Sequence, residues 1–199
     1  MITVIKLGGS LSEDSRLKAW LDVLVDFGRG HVVVVPGGGP YADIVRDQQR
    51  RWRFSDAHAH RMAVLAMDQF AIQLHGIEPR LVLASSVTEI RRAVEQRQTV
   101  VWLPSAMVLA ATDIASNWDI TSDSLAAWLS RTLSADRLVL VKSCAIPLGA
   151  TIDDLRGGDI IDRGFASMAD GATRQIDIVS SGELTRIERE LQQMQSHKR

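Results

Sequence analysis

Short, continuously apolar runs alternate with amphipathic segments along this chain, and no other feature of the sequence limits its fold as strongly. The runs are candidate strands at residues 3–7, 31–36, 80–84, 99–103, 137–142 and 176–180. Most of them lack the apolar–polar alternation of a half-exposed strand, which is typical of strands covered on both faces of a parallel sheet. Strand–helix alternation predicts right-handed crossover connections and an α/β fold, namely a three-layer αβα sandwich with a mainly parallel central sheet.

Between the candidate strands, apolar residues recur at helical spacing. The first such stripe consists of Leu17, Trp20, Leu21, Leu24 and Val25. A second, less purely apolar, consists of Met62, Leu65, Ala66, Gln69, Phe70 and Gln73. No Pro/Gly-rich linker divides the 199 residues, and a chain of this length can bury one sizeable core. We therefore expect a single domain over residues 1–199, with a polar tail at residues 192–199 that frays.

Composition and charge narrow the classes of function. The formal net charge is -1, which supplies no field for steering nucleic acid or anionic membranes. The N-terminus lacks the basic start and long apolar core of a secretory signal, and no apolar run approaches the roughly 18 residues of a membrane span. The single cysteine, Cys144, excludes an internal disulfide framework, and we expect it to be buried and inert. These features predict a cytoplasmic protein without nucleic-acid or membrane partners.

Two candidate strands end in glycines, in the segments "IKLGGSL" and "VVPGGGPYAD". Ligands of parallel sheets collect at the carboxyl ends of the strands. Glycines let successive backbone N–H groups approach an anion, and the start of the following helix adds a partial positive charge. Lys6 would place an ammonium beside this cradle. Neither segment matches a P-loop or a dinucleotide fingerprint, but two such turns and a lysine favour an anion site over two empty tight turns.

The segment "WDITSDSLAAW", residues 118–128, carries two aspartates where a polar turn meets an apolar helix. A helix start needs one capping residue, and Thr121 or Ser122 can serve. Asp123 is then either an ordinary acidic residue of the first turn, which suits the helix dipole, or a carboxylate with another task. The segment alone leaves both interpretations open.

Taken in order, these segments resemble the amino acid kinase superfamily, which includes acetylglutamate, aspartate, uridylate and isopentenyl phosphate kinases. The resemblance rests on both glycine segments, on residues 119–127, on "LVLVK" ending at Lys142, and on "DRGFASMADGA" at residues 162–172. The short chain and "WDITSDSLAAW" are most similar to a subgroup of small archaeal and methylotroph kinases. That subgroup includes the aminomethylfuran-methyl phosphate kinase of methanofuran cofactor synthesis.

The resemblance implies an ATP-dependent phosphotransferase, with Mg²⁺ arriving on the nucleotide and with self-association into a homo-oligomer. The acceptor would bind over the N-terminal half of the chain and the nucleotide over the C-terminal half. The favoured acceptor is a phosphomonoester converted to a diphosphate. A carboxylate giving an acyl phosphate, and a non-catalytic nucleotide- or oxyanion-binding storage or regulatory protein, are the alternatives. Relatives often follow the Lys142 strand with a T-D or T-K-V-D-G-V motif, whereas this chain reads "VKSCAIPLGA".

The resemblance also implies roles for individual residues. Residues of the first glycine turn would cradle the terminal phosphates of ATP: Gly8, Gly9 and Ser10. Lys6 would stabilise the phosphoryl group in transit, Lys142 falls near the second lysine of the family, and Asp123 matches the carboxylate that holds the lysines in place. Residues of the second turn would lie against the acceptor: Gly37, Gly38 and Gly39. Asp119 either contacts the acceptor or braces the loop.

A basic cluster follows the second glycine turn and consists of Arg46, Arg50, Arg51 and Arg53. Spacings of four and seven residues place Arg46, Arg50 and Arg53 on one side of a helix. Arginine is suited to bidentate phosphate binding. The cluster is therefore either a solvated face or a grip on an acceptor phosphate, for which Arg46 and Arg50 are the candidates.

Other polar and aromatic residues give weaker expectations. His58 and His60 are two residues apart and do not share a helix face, so we predict no metal site there. Trp118 and Trp128 flank the two-aspartate segment and are expected in the core or at an interface. An aminomethyl group on the acceptor would need a carboxylate, which Asp43 or Asp119 could supply.

Overall fold

A six-stranded sheet, parallel at every strand pair, forms the centre of the computed structural model, which describes residues 1–196. Its strands are β1 (Thr3–Leu7), β2 (Val32–Pro36), β3 (Leu81–Ala84), β4 (Thr99–Trp102), β5 (Arg137–Lys142) and β6 (Gln175–Ser180). Their order across the sheet is β3-β4-β2-β1-β5-β6. All six predicted strands are present, with ends that differ by one residue at most, and the predicted αβα architecture is confirmed.

Helices cover both faces of the sheet. They are α1 (Leu17–Phe27), α2 (Gly39–Trp52), α3 (Asp56–Ile77), α4 (Val87–Glu95), α5 (Ser105–Val108), α6 (Ser122–Leu133), α7 (Ile152–Gly157), α8 (Phe165–Ala169) and α9 (Leu184–Ser196). The expected fraying of the tail is wrong for residues 192–196, because the buried Ile187 and Leu191 anchor α9. Residues 197–199 of that tail lie outside the described residues.

The two faces of the sheet bury separate apolar clusters. Val33 and Val35 of β2 join one cluster, while Val32 and Val34 join the other. All four valines are fully buried. Because successive side chains point to opposite faces and both faces are covered, the strands need apolar residues at every position. This explains the continuous apolar runs from which the fold was predicted.

The second helical stripe was assigned partly to the wrong face of α3. Ala66 and Phe70 are buried as expected, but Met62 and Leu65 are 39% and 48% exposed. The face that α3 buries consists of Ala59, His60, Val64, Ala66, Met67, Phe70, Ala71 and Leu74. This helix has 22 residues and apolar side chains around much of its circumference, so spacing alone did not define the inner face.

The strand order brings the two glycine turns together, because β1 lies directly between β2 and β5. A Cβ atom on Gly37 would lie 2.2 Å from the nitrogen of Gly9, and one on Gly9 would lie 2.4 Å from the nitrogen of Gly39. The turns therefore pack backbone against backbone, at a separation that no side chain permits. The ends of β1, β2 and β5 meet at this edge.

Among residues 1–196, no helix combines the length and the apolar character needed to cross a membrane.

Candidate functional site

Three charged side chains meet at the carboxyl end of the sheet. Lys6 precedes the last residue of β1, Lys142 ends β5, and Asp123 lies in the first turn of α6. The Lys6 ammonium lies 2.8 Å from Oδ1 of Asp123, in an ion pair without hydrogen-bond alignment. Lys142 donates a hydrogen bond of 2.5 Å to Oδ2 of the same carboxylate. Asp123 therefore bridges lysines from two adjacent strands, as an organising carboxylate would.

Burial and mutual charge set the protonation of this Lys6–Asp123–Lys142 group. Burial acts to raise the pKa of Asp123, but the charges of Lys6 and Lys142 and the hydrogen bond from Lys142 bring that pKa below its ordinary value. Burial, and then repulsion by Lys6, lower the pKa of Lys142 from 10.5 to about 8, while Asp123 and Asp162 act to raise it. At neutral pH the group thus presents positively charged lysines, held in place by a buried carboxylate, to an approaching anion.

The first turn of α6 is held by a residue distant in sequence. Thr121 occupies the N-cap position but its side chain makes no capping hydrogen bond. Instead, the carboxylate of Asp162 accepts hydrogen bonds from the Thr121 N–H at 3.0 Å and the Ser124 N–H at 3.0 Å. The expectation that Thr121 or Ser122 caps the helix is therefore wrong, because a carboxylate from another segment satisfies these donors. Asp123 is left free to face the lysines.

A cavity of about 370 Å³ opens between α2, α3 and the start of α6, and we call it the α2–α3 cavity. Its apolar wall consists of Val64, Met67, Ile120 and Leu125, and its polar wall includes Ser12, Glu13, Asp43, Arg46 and His60. Trp118 also lines the cavity, with its indole N–H donating to Gln49 Oε1 at 2.6 Å. The mixed lining suits a small ligand with one apolar part and one charged part.

A second cavity, of about 470 Å³, lies over the ends of β1 and β5, and we call it the β1–β5 cavity. Lys6, Lys142 and the loop residues Gly158 and Asp159 line it. Gly9 and Ser10 line both cavities, and Ser10 exchanges a 2.8 Å hydrogen bond with Ser143. The first glycine turn is thus a shared wall, with the Lys6–Asp123–Lys142 group on one side of it.

The structure brings most of the predicted glycine-turn residues to these cavities. Gly8, Gly9 and Ser10 line the β1–β5 cavity, and Gly38 and Gly39 line the α2–α3 cavity. Gly37 does not line either cavity and packs against Gly9. The first turn and the last two glycines of the second turn therefore border the cavities.

The arginines of the basic cluster differ in their position relative to the α2–α3 cavity. Arg46 lines the α2–α3 cavity, with its guanidinium carbon 4.6 Å from the Trp118 ring centroid and a hydrogen bond of 2.7 Å to Asp43. Arg50 is 79% exposed, pairs with Asp47 and lines neither cavity. Arg53 lies just past the end of α2, in the left-handed backbone region. The geometry supports a ligand contact for Arg46 and gives none to Arg50.

Asp119 stabilises its loop through a backbone hydrogen bond. Its carbonyl accepts from the Gly164 N–H at 2.8 Å, and its side chain, 3.9 Å from Arg163, does not line the α2–α3 cavity. The bracing alternative therefore has the geometric support.

Cys144 is exposed, so the expectation of a buried thiol is wrong. It lies past the end of β5, in a loop rather than in the core, and lines the β1–β5 cavity.

Sequence reasoning missed two residues that help to build this region. His60 was considered only as a metal ligand, yet it lines the α2–α3 cavity, and burial lowers its pKa against the opposing effect of a hydrogen bond that its ring donates to the Asn117 backbone. Asp162 was noted only as part of a family-like segment, since nothing local signals a contact across 38 residues to Ser124. Within residues 1–196 no group of three or more His, Cys, Asp or Glu side chains is arranged to hold a metal ion.

Comparisons with known proteins agree with this geometry. A family model described as the amino acid kinase family matches residues 1–145. A protein of Methanocaldococcus jannaschii, [5-(aminomethyl)furan-3-yl]methyl phosphate kinase, is 27% identical over 163 residues, which are 80% of this chain and 72% of that protein. The structure of a uridylate kinase from Archaeoglobus fulgidus aligns with a TM-score of 0.71 at 19% identity, over 96% of this chain and 95% of the other. An isopentenyl phosphate kinase aligns with a TM-score of 0.62 at 16% identity, over 96% of each chain.

Proposed function

This chain belongs to the amino acid kinase family and is an ATP-dependent kinase, and we propose that it transfers the γ-phosphoryl group to a small phosphomonoester, giving a diphosphate. The observation that carries the proposal is the buried Asp123 between Lys6 and Lys142. Both lysines line the β1–β5 cavity, beside the glycine turn that this cavity shares with the α2–α3 cavity. Phosphoryl transfer depends mainly on positioning and on neutralising charge on the moving group. Two lysines held by one carboxylate supply both.

Each cavity has a distinct role in this proposal. ATP would lie in the β1–β5 cavity, with its terminal phosphates against Gly8, Gly9 and Ser10, and the acceptor would lie in the α2–α3 cavity. The start of α2 follows Gly38, and its partial positive charge favours an anionic acceptor group there. Arg46 is a second cationic partner on the same cavity wall. Together they favour an acceptor that already carries a phosphate.

Mg²⁺ is proposed to enter with ATP. The described residues provide no cluster for a dedicated metal site, whereas magnesium in nucleotide sites typically keeps several waters and bridges phosphate oxygens. Bound in that way, it would neutralise part of the phosphate charge. The chain itself contributes the lysines and the backbone N–H groups of the glycine turns.

The proposal is tested by measuring ADP formation from MgATP with a panel of acceptors. The panel contains the phosphomonoester named for the M. jannaschii relative, isopentenyl phosphate and UMP, with acetylglutamate and aspartate as carboxylate acceptors. We expect ADP formation with at least one phosphomonoester and none with the carboxylates. Hydroxylamine trapping of product would instead reveal an acyl phosphate. Binding of ATP without turnover of any acceptor would indicate a storage or regulatory protein and would contradict the proposal.

The pH dependence of catalysis should follow Lys142. Because its pKa is lowered to about 8, we expect kcat/KM, which reports the free enzyme, to fall as the pH rises through that value. Phosphates of bound ATP favour the ammonium, so the alkaline limb of kcat should lie at higher pH. Profiles of kcat/KM and of kcat against pH provide the measurement.

The free energy of unfolding should change in the opposite direction over the same range. Between pH 8 and 10.5 the unfolded chain holds more protons at Lys142 than the folded protein does. The contribution of Lys142 to stability therefore rises with pH over that window, because the cost of burying its charge disappears. Denaturant titrations at several pH values across this window measure the free energy of unfolding. They show whether a loss of activity at high pH comes from deprotonation of Lys142 or from unfolding of the protein. A kcat/KM profile that stays flat through pH 8 would contradict the role given to Lys142.

We also propose that the protein self-associates through α2 and α3, in the cytoplasm. These helices pack against each other and expose large apolar side chains: Ile44, Trp52, Met62, Leu65 and Ile72. Apolar surface of this extent on neighbouring helices commonly marks an interface. We expect light scattering to give an oligomer for the natural chain and a smaller mass for Leu65→Glu. Leu148→Glu, which changes an exposed leucine on a loop, is the control; an unchanged mass for Leu65→Glu would contradict this interface.

A further inference from the structure

Asp162 is the residue that holds the start of α6, although it lies outside the Lys6–Asp123–Lys142 group. Its Oδ2 accepts hydrogen bonds from the Thr121 N–H at 3.0 Å, the Thr121 hydroxyl at 2.7 Å and the Ser124 N–H at 3.0 Å. Its Oδ1 accepts from the Ser124 hydroxyl. One half-buried carboxylate thus satisfies four donors in the first turn of the helix. Such charge-assisted hydrogen bonds are roughly twice as strong as neutral ones.

The two residues that Asp162 binds enclose Asp123. Thr121 is the N-cap, and Ser124 directly follows Asp123 in α6. Fixing both neighbours fixes the backbone from which the Asp123 carboxylate reaches Lys6 and Lys142. Because the two lysine contacts are 2.8 Å and 2.5 Å long, a small displacement of this turn would break at least one of them.

Asp162 is itself held by close packing of its segment against α6. The Gly164 N–H donates to the Asp119 carbonyl at 2.8 Å, and a Cβ atom on Gly164 would lie 2.3 Å from Ile120 Cδ1. The next residue, Phe165, is fully buried at the start of α8. The segment is therefore anchored against the residues that lead into α6 and by the buried Phe165, so the position of its carboxylate is defined by the core.

We propose that Asp162 is a positioning residue for phosphoryl transfer: it holds the first turn of α6 and so keeps Asp123 between Lys6 and Lys142. The inference rests on the proposed kinase function, since it gives that site a second supporting carboxylate. Asp162 does not contact the reacting groups. It acts through Asp123 and through its negative charge near Lys142.

The same segment links the two cavities. Gly158, Asp159 and Ile160, just before Asp162, line the β1–β5 cavity, while Thr121 and Ser122 line the α2–α3 cavity. Asp162 joins the nucleotide-side loop to the acceptor-side helix start through its bonds to Thr121. The hydrogen bonds thereby fix the position of the β1–β5 cavity relative to the α2–α3 cavity, between which the phosphoryl group would be transferred.

Two substitutions distinguish the hydrogen bonds that Asp162 accepts from its negative charge. Asp162→Ala removes all four acceptor contacts, and we expect kcat to fall about 10²-fold, the cost of misplacing a site by roughly 1 Å. Asp162→Asn retains an oxygen that can accept from Thr121 and Ser124, so it should restore most of kcat near neutral pH. Glu89→Ala is the matched control, because it removes a carboxylate that accepts from Ser85 near the start of α4 and lines neither cavity. We expect kcat of that control to stay within about twofold of the natural chain.

A double-mutant cycle tests whether Asp162 acts through Asp123. If it does, the loss caused by Asp162→Ala should largely disappear in the Asp123→Asn background, when both are measured by single-turnover transfer from labelled ATP. Equal losses in both backgrounds would contradict the proposal. So would a kcat for Asp162→Ala within about twofold of the natural chain.

A titration without substrate distinguishes failure of this inference from failure of the kinase assignment. Lys142 faces Lys6, Asp123 and Asp162, and its titration can be followed by NMR of protein carrying ¹³C at lysine Cε. We expect its midpoint to fall in both Asp162→Asn and Asp162→Ala, because a nearby negative charge is lost. An unchanged midpoint would overturn the placement of Asp162. Absence of turnover by the natural chain would overturn the kinase assignment instead, and the midpoint would still decide the question of Asp162.

Discussion

Replacing Asp123 with asparagine should lower kcat by about 10²- to 10³-fold, the loss typical of removing one preorganised electrostatic contact from an active site. The substitution leaves Lys6 and Lys142 adjacent and buried without the carboxylate between them. Because Asp123 favours the ammonium form of Lys142, its loss should lower the pKa of Lys142 further. Neutralisation of Lys142 then relieves the repulsion, so the fold should survive while charge for the moving phosphoryl group is lost.

Asp136→Asn is the matched control for this experiment. Asp136 accepts a hydrogen bond of 2.8 Å from the Ile2 N–H, before β1 and β5 begin and therefore at the opposite edge of the sheet from Lys142. We expect it to alter stability more than kcat. Steady-state rates and thermal unfolding of both variants provide the comparison. If Asp123→Asn kept full activity, Asp123 would be an ordinary acidic residue at a helix start.

Lys6→Met should reduce kcat by a similar factor, about 10²- to 10³-fold, because it removes one of the two cations beside the transferring group while keeping an unbranched side chain one atom shorter. The substitution also removes the repulsion that helps to lower the pKa of Lys142. The midpoint for Lys142 should therefore rise, opposite to its shift in Asp162→Asn. Titration of lysine Cε by NMR measures that direction without substrate.

Lys18→Met provides the control for Lys6. The Lys18 side chain is 53% exposed and pairs with Asp22 and Glu78, away from both cavities. Surface pairs contribute little to stability, and we expect kcat to stay within about twofold. An active Lys6→Met variant with unchanged affinity for ATP would contradict the mechanism proposed here.

The strands could be predicted because their sequence carries the signature of burial on both faces. Val32 to Val35 need apolar side chains on alternate faces of a covered sheet, so a continuous run is sufficient evidence. The inner face of α3 could not be predicted in the same way. Met62 and Leu65 are as apolar as the buried Val64 and Met67, and only the packing of neighbouring helices decides which of them faces the core.

The site was predictable where it depends on backbone and strand ends. Glycines, Lys6 and Lys142 lie at the ends of strands, and parallel strands end at one edge of the sheet. Asp162 was not identified because its partners, Thr121 and Ser124, are about 40 residues away, and capping was expected from adjacent residues. Arg46 and Arg50 share helical spacing, but only the tertiary packing places Arg46 at a cavity.

The most direct test of the central claim is a ³¹P NMR spectrum of the products formed from MgATP and the phosphomonoester named for the M. jannaschii relative. The account predicts ADP together with a new diphosphate ester, seen as two coupled phosphorus signals, from the natural chain, and formation of both at least about 10²-fold more slowly from Lys6→Met. Conversion of ATP to ADP and inorganic phosphate alone, or a diphosphate formed equally by Lys6→Met, would contradict it.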